Sequence, residues 1–354
     1  MVKYPKIIVD LKKLEHNAKT LTKLCGNHNI DLAAVTKVYC GNPEIAKASV
    51  AGGVKMLADS RIQNLIKLKE VDVPKLYLRL PMISEVEEIV KYADISLNSE
   101  IKTIEKLSEV AVKENKVHKI ILMVDLGDLR EGVWPKDVID TVEKILKYKG
   151  IHLIGLGTNL TCYGGVIPKE DNLGILVEVA KSIEEKFNIE LEIISGGNSS
   201  SIHLVTSDKI PCKINNLRLG EAIVLGTESS YGQNIEGTYQ DVFTLAAQII
   251  ELKEKPSMPI GEIGVDAFGN KPTFTDRGIR KRAILAVGRQ DIYPEKLIPI
   301  DRNMIILGAS SDHLIVDVTD CDQSYTVGDE IKFNLKYPAI LQLFTSEYVF
   351  KEIK

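Results

Sequence analysis

The segment Asp31-Leu-Ala-Ala-Val-Thr-Lys37-Val-Tyr-Cys-Gly-Asn-Pro43 combines an apolar run, a turn and the start of a helix. This order is typical of a strand that leads into a helix. The apolar run closes on Lys37, and burying a lysine amine at a strand end is costly unless the amine is used. Lys37 is therefore either a desolvated Schiff-base nucleophile or a lysine whose side chain reaches out to solvent.

The same strand-and-helix unit repeats over residues 31–225, where short apolar runs alternate with amphipathic stretches rich in Lys and Glu. Eight strands are predicted, at Leu32–Val38, Lys55–Asp59, Lys75–Leu80, Asp94–Leu97, Lys119–Asp125, His152–Thr158, Leu191–Ser195 and Leu217–Val224. Helices are predicted at Glu100–Asn115 with Ser99 as cap, at Pro135–Tyr148 with Pro135 in the first turn, and at Asp171–Phe187. Eight such units indicate a (β/α)8 TIM barrel. No GxGxxG follows the first strand, which disfavours an open doubly wound sheet.

The pattern changes after residue 230. Strand candidates at Asp241–Leu252, Lys281–Val287, Met304–Leu307, His313–Val318 and Glu330–Leu335 are separated by turns rich in Pro, Gly and Asp. We therefore predict a barrel domain at residues 1–230 and a C-terminal all-β domain at residues 231–354. The N-terminal strand Lys6–Asp10 is a candidate to join the β domain.

Composition narrows the class of protein. A net charge of -4 gives no reason to expect a nucleic acid or an anionic membrane as partner. The sequence contains no bilayer-spanning apolar stretch, and its N-terminus has no signal-peptide core. The five cysteines are scattered without a CxxC motif. This predicts reduced thiols in the cytoplasm and no metal site.

Two further strand ends carry residues suited to bind an anion. Gly196-Gly197-Asn198-Ser199-Ser200-Ser201 combines small residues with hydroxyl groups at a predicted helix start, as in a phosphate site. It is equally consistent with a serine-capped turn. Arg218 lies in an apolar strand and needs a partner, which is either a carboxylate of a neighbouring strand or a ligand in the barrel mouth. A lysine, a phosphate site and a partner for a ring nitrogen together fit pyridoxal 5'-phosphate.

These residues resemble the alanine racemase family of pyridoxal-phosphate enzymes, in which a barrel precedes a β domain. Ala34-Val-Thr-Lys37 resembles the cofactor-lysine segment, and Tyr39 resembles a tyrosine that contacts the phosphate. Asn198-Ser199 resembles the phosphate-binding pair, and Leu217-Arg218-Leu-Gly220 resembles the segment whose arginine faces the pyridine nitrogen. The cofactor-binding residues are thus predicted to be Lys37, Tyr39, Asn198, Ser199, Ser200, Arg218, Gly220 and Glu221.

The resemblance also implies a substrate site. Asp125-Leu-Gly-Asp-Leu-Arg130-Glu-Gly132 resembles the segment whose arginine holds the substrate carboxylate. Ile306-Leu-Gly-Ala-Ser-Ser311-Asp312 resembles a stretch whose backbone touches that carboxylate. The substrate-binding residues are predicted to be Arg130, Arg289, Ser311 and Asp312.

Arg218 favours racemisation over decarboxylation. A guanidinium cannot accept the proton of the pyridine nitrogen, which suits reversible loss and return of an α-proton. Related decarboxylases usually have a carboxylate at this position. Lys37 is predicted to exchange the proton on one face of the substrate.

The chain departs from the family at the second base. Arg289 stands where the family has a tyrosine, and Tyr293 and Asp291 are the candidates for that role. Asn159 and Met123 replace a supporting histidine and a carbamylated lysine. The stretch Val287-Gly-Arg-Gln-Asp291 is most similar to the ornithine racemase branch, which implies ornithine as substrate.

A cationic substrate side chain needs a carboxylate, for which Asp291, Asp128 and Asp312 are candidates. The alternatives are an alanine or broad-specificity racemase, a decarboxylase, and a non-catalytic pyridoxal-phosphate carrier. The family's second base comes from the other subunit. The resemblance therefore implies a two-fold, head-to-tail homodimer.

Overall fold

The computed structural model describes residues 3–266 and 268–354, which divide into two compact units. One unit is Leu11–Gln240, and the other joins the N-terminal segment ending at Asp10 to Asp241–Lys354. The predicted boundary between residues 230 and 231 lies earlier in the chain. Residues 231–240 belong to the first unit instead. Within it, Asn17 of α1 donates to Tyr239 O at 2.8 Å and accepts from Tyr239 N at 2.7 Å.

The first unit is built on a closed barrel of eight parallel strands, which confirms the predicted fold class. Strands are numbered along the whole chain, so β1 (Lys6–Val9) belongs to the second unit. The barrel strands are β2 (Asp31–Val35), β3 (Met56–Asp59), β4 (Lys75–Tyr77), β5 (Ile95–Asn98), β6 (His118–Met123), β7 (Ile151–Gly157), β8 (Ile193–Ser195) and β9 (Asn216–Leu219). Strand β9 closes the barrel against β2, with Ala33 opposite Arg218.

Helices follow the strands as the periodicity predicts. They are α1 (Leu11–Gly26), α2 (Pro43–Ala51), α3 (Ile62–Lys67), α4 (Val86–Tyr92), α5 (Ile101–Lys113), α6 (Val138–Ile145), α7 (Glu170–Phe187), α8 (Ile202–Thr206) and α9 (Glu221–Leu225). Short 3-10 turns occur at Lys37–Tyr39, Ile83–Glu85, Pro135–Asp137 and Ser199–Ser201. Pro135 thus opens the 3-10 turn that precedes α6.

Two sequence predictions about these elements are wrong. The cap residue of α5 is Glu100 rather than Ser99, and it makes no side-chain capping bond. The predicted strand Leu217–Val224 ends at Leu219, because Gly220 caps the short helix α9. This shortening brings the start of a helix, rather than more strand, to the carboxyl end of β9.

The barrel interior is packed with apolar side chains from successive strands. A buried cluster collects residues from β2 to β7, namely Ala33, Val35, Ala58, Leu76, Ile95, Leu97, Ile121, Met123 and Ile154. Such filling is typical of a barrel whose chemistry takes place at the carboxyl ends of the strands.

The second unit is a mainly antiparallel sheet. It contains β10 (Phe243–Pro256), β11 (Ile279–Leu285), β12 (Leu297–Pro299), β13 (Ile305–Ala309), β14 (Leu314–Asp317), β15 (Glu330–Leu335) and β16 (Phe350–Ile353). Strand β1 pairs antiparallel with β10 and parallel with β16. The sequence analysis missed β12, β16, the helix α10 (Tyr337–Thr345) and a 3-10 turn at Pro294–Lys296.

Over the part of the chain that is described, none of the helices has the length and apolar character needed to cross a lipid bilayer.

Candidate active site

Lys37 lies two residues beyond the end of β2, as the first residue of a 3-10 turn. Thr36 precedes the turn, and Cys40 closes it in the left-handed conformation, with φ of 52°. The Lys37 side chain is exposed while the residues on either side of it are buried. Of the two alternatives for Lys37, this structure has the one in which the side chain reaches out of the barrel core.

Asp59 anchors the residue that precedes this turn. Its carboxyl group lies at the end of β3 and is fully buried. Thr36 Oγ1 donates to Asp59 Oδ2 at 2.6 Å, and Asn64 Nδ2 donates to Asp59 Oδ1 at 3.1 Å. Burial raises the pKa of Asp59, while these hydrogen bonds and the charge of Lys37 act in the opposite direction. The sequence analysis assigned no role to this residue.

Tyr39 is almost fully buried, and its hydroxyl has almost no solvent-accessible surface. Burial raises the pKa of Tyr39 well above its usual value, and Ser49 and Asp59 lie close to the hydroxyl. This enclosed position does not support the predicted contact with a cofactor phosphate.

The loop after β8 is held by the Asn198 side chain. Asn198 Oδ1 accepts from Ser200 N at 2.8 Å and so caps the 3-10 turn. Its Nδ2 donates to Asn159 Oδ1 and to Leu160 O, each at 3.0 Å. Asn198 therefore joins the loops that follow β7 and β8, so its polar atoms are used within the protein.

Ser199 joins the same loop to the end of β9. Its Oγ accepts from Ala222 N at 3.1 Å, in the first turn of α9. Gly220 and Glu221 directly precede Ala222. This bond therefore brings the predicted cofactor-binding residues after β8 close to those after β9. Burial raises the pKa of Glu221, with Thr227 lowering it and Glu228 adding a further increase.

Arg218 has its guanidinium inside the barrel, where it is only 3% exposed. Its Nη1 donates to Ser195 Oγ at 2.5 Å and its Nη2 to Thr158 O at 2.7 Å. Burial lowers the pKa of Arg218 to about 10, so it remains charged at neutral pH. The described residues place no carboxylate within ion-pair distance of it, so the predicted alternative of a direct structural ion pair is not observed.

Arg130 lies in the loop after β6 and forms a two-point hydrogen bond with the neighbouring Glu131. Its side chain is 42% exposed, and that of Glu131 is 15% exposed. The hydrogen bonds with Glu131 raise the pKa of Arg130. An exposed guanidinium at this end of the barrel can still bind a carboxylate through its remaining N–H groups.

Asp128, in contrast, is not available to a substrate. It is 1% exposed, and its two carboxylate oxygens accept backbone N–H groups from residues in the loop after β7. The donors are Thr161, Cys162, Tyr163 and Val166. The prediction that Asp128 could receive a cationic side chain is therefore wrong.

Three buried polar atoms beyond β7 and β8 have no hydrogen-bond partner among the described residues. They are Thr158 Oγ1, Asn159 Nδ2 and Ser200 Oγ. Each can donate a hydrogen bond, and the buried charge of Arg218 lies at the same end of the barrel. These donors, together with the Lys37 amine, fit an anionic ligand that carries a carbonyl group, as pyridoxal phosphate does.

The remaining predicted residues lie in the second unit. Arg289 Nη2 donates to Glu295 Oε1 at 2.6 Å, and the guanidinium lies 5.4 Å from the Phe268 ring centroid. Asp291 is buried and its Oδ1 accepts from Ser346 Oγ at 2.6 Å. Arg289 and Asp291 therefore both have partners in their own unit.

Tyr293 is 50% exposed and directly precedes the 3-10 turn Pro294–Lys296.

Two loops of the second unit are paired through their backbones. Arg289 N donates to Ser310 O at 2.8 Å, and Gln290 N donates to Ser311 O at 3.1 Å. Ser311 Oγ donates to Asp312 Oδ2 at 2.5 Å. Within its unit, this pairing brings the Arg289 loop and the Ser311–Asp312 stretch together.

The sequence analysis missed Ser195 and gave Glu131 no role. Ser195 is the last residue of β8, and its hydroxyl links Arg218 to Asn216 Oδ1, which accepts at 2.6 Å. A polar residue at a strand end was the available signal for Ser195. An acidic residue directly after a proposed anion-binding arginine was the signal for Glu131.

Comparisons with known proteins identify the family of the chain. Residues 9–228 match the family model described as alanine racemase, N-terminal domain. The chain is 54% identical over 351 residues to an ornithine racemase of Acetoanaerobium sticklandii, covering 99% of each chain. It is 41% identical over 350 residues to a lysine racemase of Thermotoga maritima, covering 98% of each.

A solved structure has the same fold. Alanine racemase from Bartonella henselae, with covalently bound pyridoxal phosphate, superposes with a TM-score of 0.75 at 18% identity. The match covers 99% of each chain. At this identity the similarity establishes the fold alone.

Proposed function

Because this chain belongs to the alanine racemase family, we propose that it is a pyridoxal-phosphate-dependent amino-acid racemase that interconverts L- and D-ornithine. The observation that carries the proposal is Arg218, a buried guanidinium that the described residues leave without a carboxylate in direct contact. It lies at the same end of the barrel as an exposed lysine and several unpaired hydrogen-bond donors.

The proposed roles in cofactor binding follow from the chemistry of each group. Lys37 would hold the cofactor, and its phosphate would be bound by the Asn198–Ser200 loop, by Gly220 and by Glu221, the first residue of α9. Arg218 would be the partner of the ring nitrogen. When bound, pyridoxal phosphate supplies the electron sink that makes the α-proton of an amino acid exchangeable.

Arg218 supports racemisation rather than decarboxylation. Its charge persists at neutral pH, and a guanidinium has no lone pair with which to accept a proton. With the cofactor bound, Arg218 would donate a hydrogen bond to the ring nitrogen without protonating it, which would weaken the ring as an electron sink. Such restraint favours return of a proton to the α-carbon over irreversible bond cleavage.

Proton transfer requires one group on each face of the substrate. The Lys37 amine takes or returns the α-proton on one face, and Tyr293 Oη does so on the other. Tyr293 is preferred to Asp291 because its side chain is half exposed, whereas Asp291 is buried against Ser346. Arg130 binds the substrate carboxylate and so orients the α-carbon.

Ornithine is the preferred substrate because of the 54% identity to an ornithine racemase across the full chain. Lysine is the second candidate, since a lysine racemase is 41% identical over a similar length. Asp312 is the remaining candidate for the substrate's distal ammonium group, because Asp128 and Asp291 are buried and bound within the protein.

We also propose that the enzyme is a head-to-tail homodimer in the cytoplasm. The dimer would supply Tyr293 from a second copy of the chain. The five cysteines are all unpaired, which suits a reducing compartment.

Exchange of the α-proton tests the reaction and the substrate together. Purified protein with pyridoxal phosphate is incubated in deuterated water with L-ornithine, L-lysine and L-alanine, and both deuterium incorporation and the D-enantiomer are measured. Ornithine is expected to exchange and racemise fastest. Faster turnover of alanine would replace ornithine as substrate, and carbon dioxide release would indicate a decarboxylase. Cofactor binding without turnover of any amino acid would indicate a carrier.

Attachment of the cofactor to Lys37 is tested separately. Borohydride treatment of the holoenzyme, followed by peptide mass analysis, is expected to leave the pyridoxyl mass on the peptide that contains Lys37. The K37A variant should lose both the label and the cofactor's visible absorbance. Lys67 is a suitable control position, because its Nζ donates to Cys40 O at 2.9 Å yet no cofactor role is proposed for it. A label on another lysine in the native enzyme would contradict the assignment.

A further inference from the structure

Glu131 makes a two-point contact with Arg130. Nε and Nη2 of Arg130 donate to the two carboxylate oxygens of Glu131, the planar fork geometry in which such pairs are strongest. The Glu131 side chain is 15% exposed, so solvent screens the pair less than it would at an open surface. Nη1 of Arg130 takes no part in this contact, and Cys162 is a further neighbour of the guanidinium.

The backbone that carries Glu131 is held at Val133, two residues further along the chain. Val133 N donates to Met123 O at 2.8 Å, and Asp125 N donates to Val133 O at 3.1 Å. Gly132, which lies between Glu131 and Val133, has a φ of +133°, and a Cβ there would lie 2.4 Å from Asp125 N. Glu131 is therefore placed by a closed loop, so it can restrain the longer and more exposed side chain of Arg130.

Glu131 also acts on Arg218. The negative charge of Glu131 favours the charged form of Arg218 and so raises its pKa, while the positive charge of Arg130 lowers it. Among the described residues, no carboxylate lies within ion-pair distance of Arg218. Glu131 is thus placed to offset the positive charge of both arginines.

We propose that Glu131 is a positioning residue that orients Arg130 for the substrate carboxylate and offsets the charge of Arg218. The inference rests on the proposed function, because it assigns Arg130 and Arg218 to substrate and cofactor. Without the Glu131 charge, Arg130 would lose its restraint, and less negative charge would offset the positive charge of Arg218. Recognition of the α-carboxylate should then weaken, whereas contacts with the rest of the substrate should not.

The experiment compares two ligands that differ only in the carboxylate. Ornithine carries it, and 1,4-diaminobutane is the same chain without it. The variants are E131Q, which removes the charge, and E131D, which keeps it. The control is E184Q, since Glu184 forms an ion pair with Lys213 at 2.8 Å and has a similar exposed fraction of 21%. KM and kcat for ornithine and the inhibition constant of 1,4-diaminobutane are measured with each holoenzyme.

We expect E131Q to raise KM for ornithine about tenfold, the effect of losing a well-oriented charge-assisted hydrogen bond. The inhibition constant of 1,4-diaminobutane should stay unchanged, E131D should recover part of the loss, and E184Q should resemble the native enzyme. A parallel rise of both constants would indicate general damage to the site. Either that result or an unchanged KM would overturn the positioning role of Glu131 while racemisation by the native enzyme stands.

A second measurement does not depend on turnover. The visible absorbance of the bound cofactor is titrated with pH in the native protein, E131Q and E184Q. Loss of a nearby negative charge should shift the midpoint of the E131Q titration to lower pH. An unshifted midpoint would overturn the effect of Glu131 on the charge of the cofactor site. If the native protein racemises no amino acid, the proposed function fails, and this titration still tests the inference.

Discussion

At the scale of single residues, Asp128 is a carboxylate that serves the fold rather than the substrate. Its oxygens accept four backbone N–H groups of residues 161–166. D128A would leave these donors without their acceptor, and we expect it to lower the free energy of unfolding by about 2–3 kcal/mol. Urea unfolding checks this, with D72N at an exposed aspartate as the control.

The same substitution also tests the rejected role in substrate binding. If Asp128 only supports the loop, D128A should leave the preference for ornithine over alanine unchanged in the fraction that folds. A selective loss of ornithine turnover would restore Asp128 as a substrate residue.

His118 couples the stability of the barrel to pH. It is buried, with Nε2 2.8 Å from Ser96 Oγ, and burial lowers its pKa from 6.5 to about 4. The unfolded chain therefore binds a proton between these values while the folded chain does not. The contribution is fully present above pH 6.5 and is lost as the pH falls toward 4. It amounts to about 3 kcal/mol at most.

Urea unfolding at pH 7.5 and pH 5 measures this dependence. H118Q should have a smaller loss of stability on acidification than the native protein, although it is less stable at pH 7.5. H152Q, at an exposed histidine, should keep the native pH dependence. Equal pH dependence in H118Q and the native protein would contradict the assignment to His118.

At the scale of elements, the glycines of β7 and α7 have opposite environments. A Cβ on Gly155 would lie 2.0 Å from Ile193 O of the neighbouring strand β8. A Cβ on Gly174 in α7 would meet no atom within 4 Å. We expect G155A to destabilise the protein by about 1–3 kcal/mol or more, because two barrel strands must separate. G174A should stabilise it by about 0.5–1 kcal/mol, because alanine is the better helix former.

Thermal unfolding of the two variants compares them directly. Both variants replace glycine by alanine in the first unit. The midpoint temperature of unfolding should fall in G155A and rise in G174A. A stable G155A variant would mean that β7 and β8 are further apart than the described backbone has them.

The elements themselves were largely predictable, and their ends were not. Alternating apolar runs located all eight barrel strands, because strands buried on both faces need continuous apolar sequence. The run Leu217–Val224 is apolar both in the part that forms β9 and in the part that forms α9. Its pattern therefore did not locate the end of the strand, which the structure places at Leu219, before the Gly220 cap. Helix α10 was missed because it has only nine residues and is strongly apolar, so it lacks the polar face by which a helix is recognised in a sequence.

At the scale of the whole molecule, the proposed dimer predicts complementation between inactive variants. K37A removes the base of the barrel, and Y293F removes the proposed base of the second unit. If each site combines Lys37 of one copy with Tyr293 of another, a mixed dimer has one intact site. Unfolding and refolding the two variants together should restore activity to about a quarter of the native value, assuming random pairing of subunits.

Refolding each variant alone is the control, and each should remain inactive. Light scattering of the native protein should give the mass of two chains. Failure to complement while the protein is dimeric would mean that Lys37 and Tyr293 act within one copy or that Tyr293 is not the second base.

The sequence alone determined the order of the eight barrel strands and the position of Lys37, Arg130 and Arg218 near strand ends, because hydrophobic periodicity is a local property. Which groups meet was decided by the tertiary structure. Asp128 binds a loop more than thirty residues away, and Arg218 donates to Thr158, sixty residues before it. The same holds for the exposure of Lys37 and for the charge of Glu131 acting on both arginines. Such contacts exist only once the barrel closes and brings its strand ends together, so no local pattern records them.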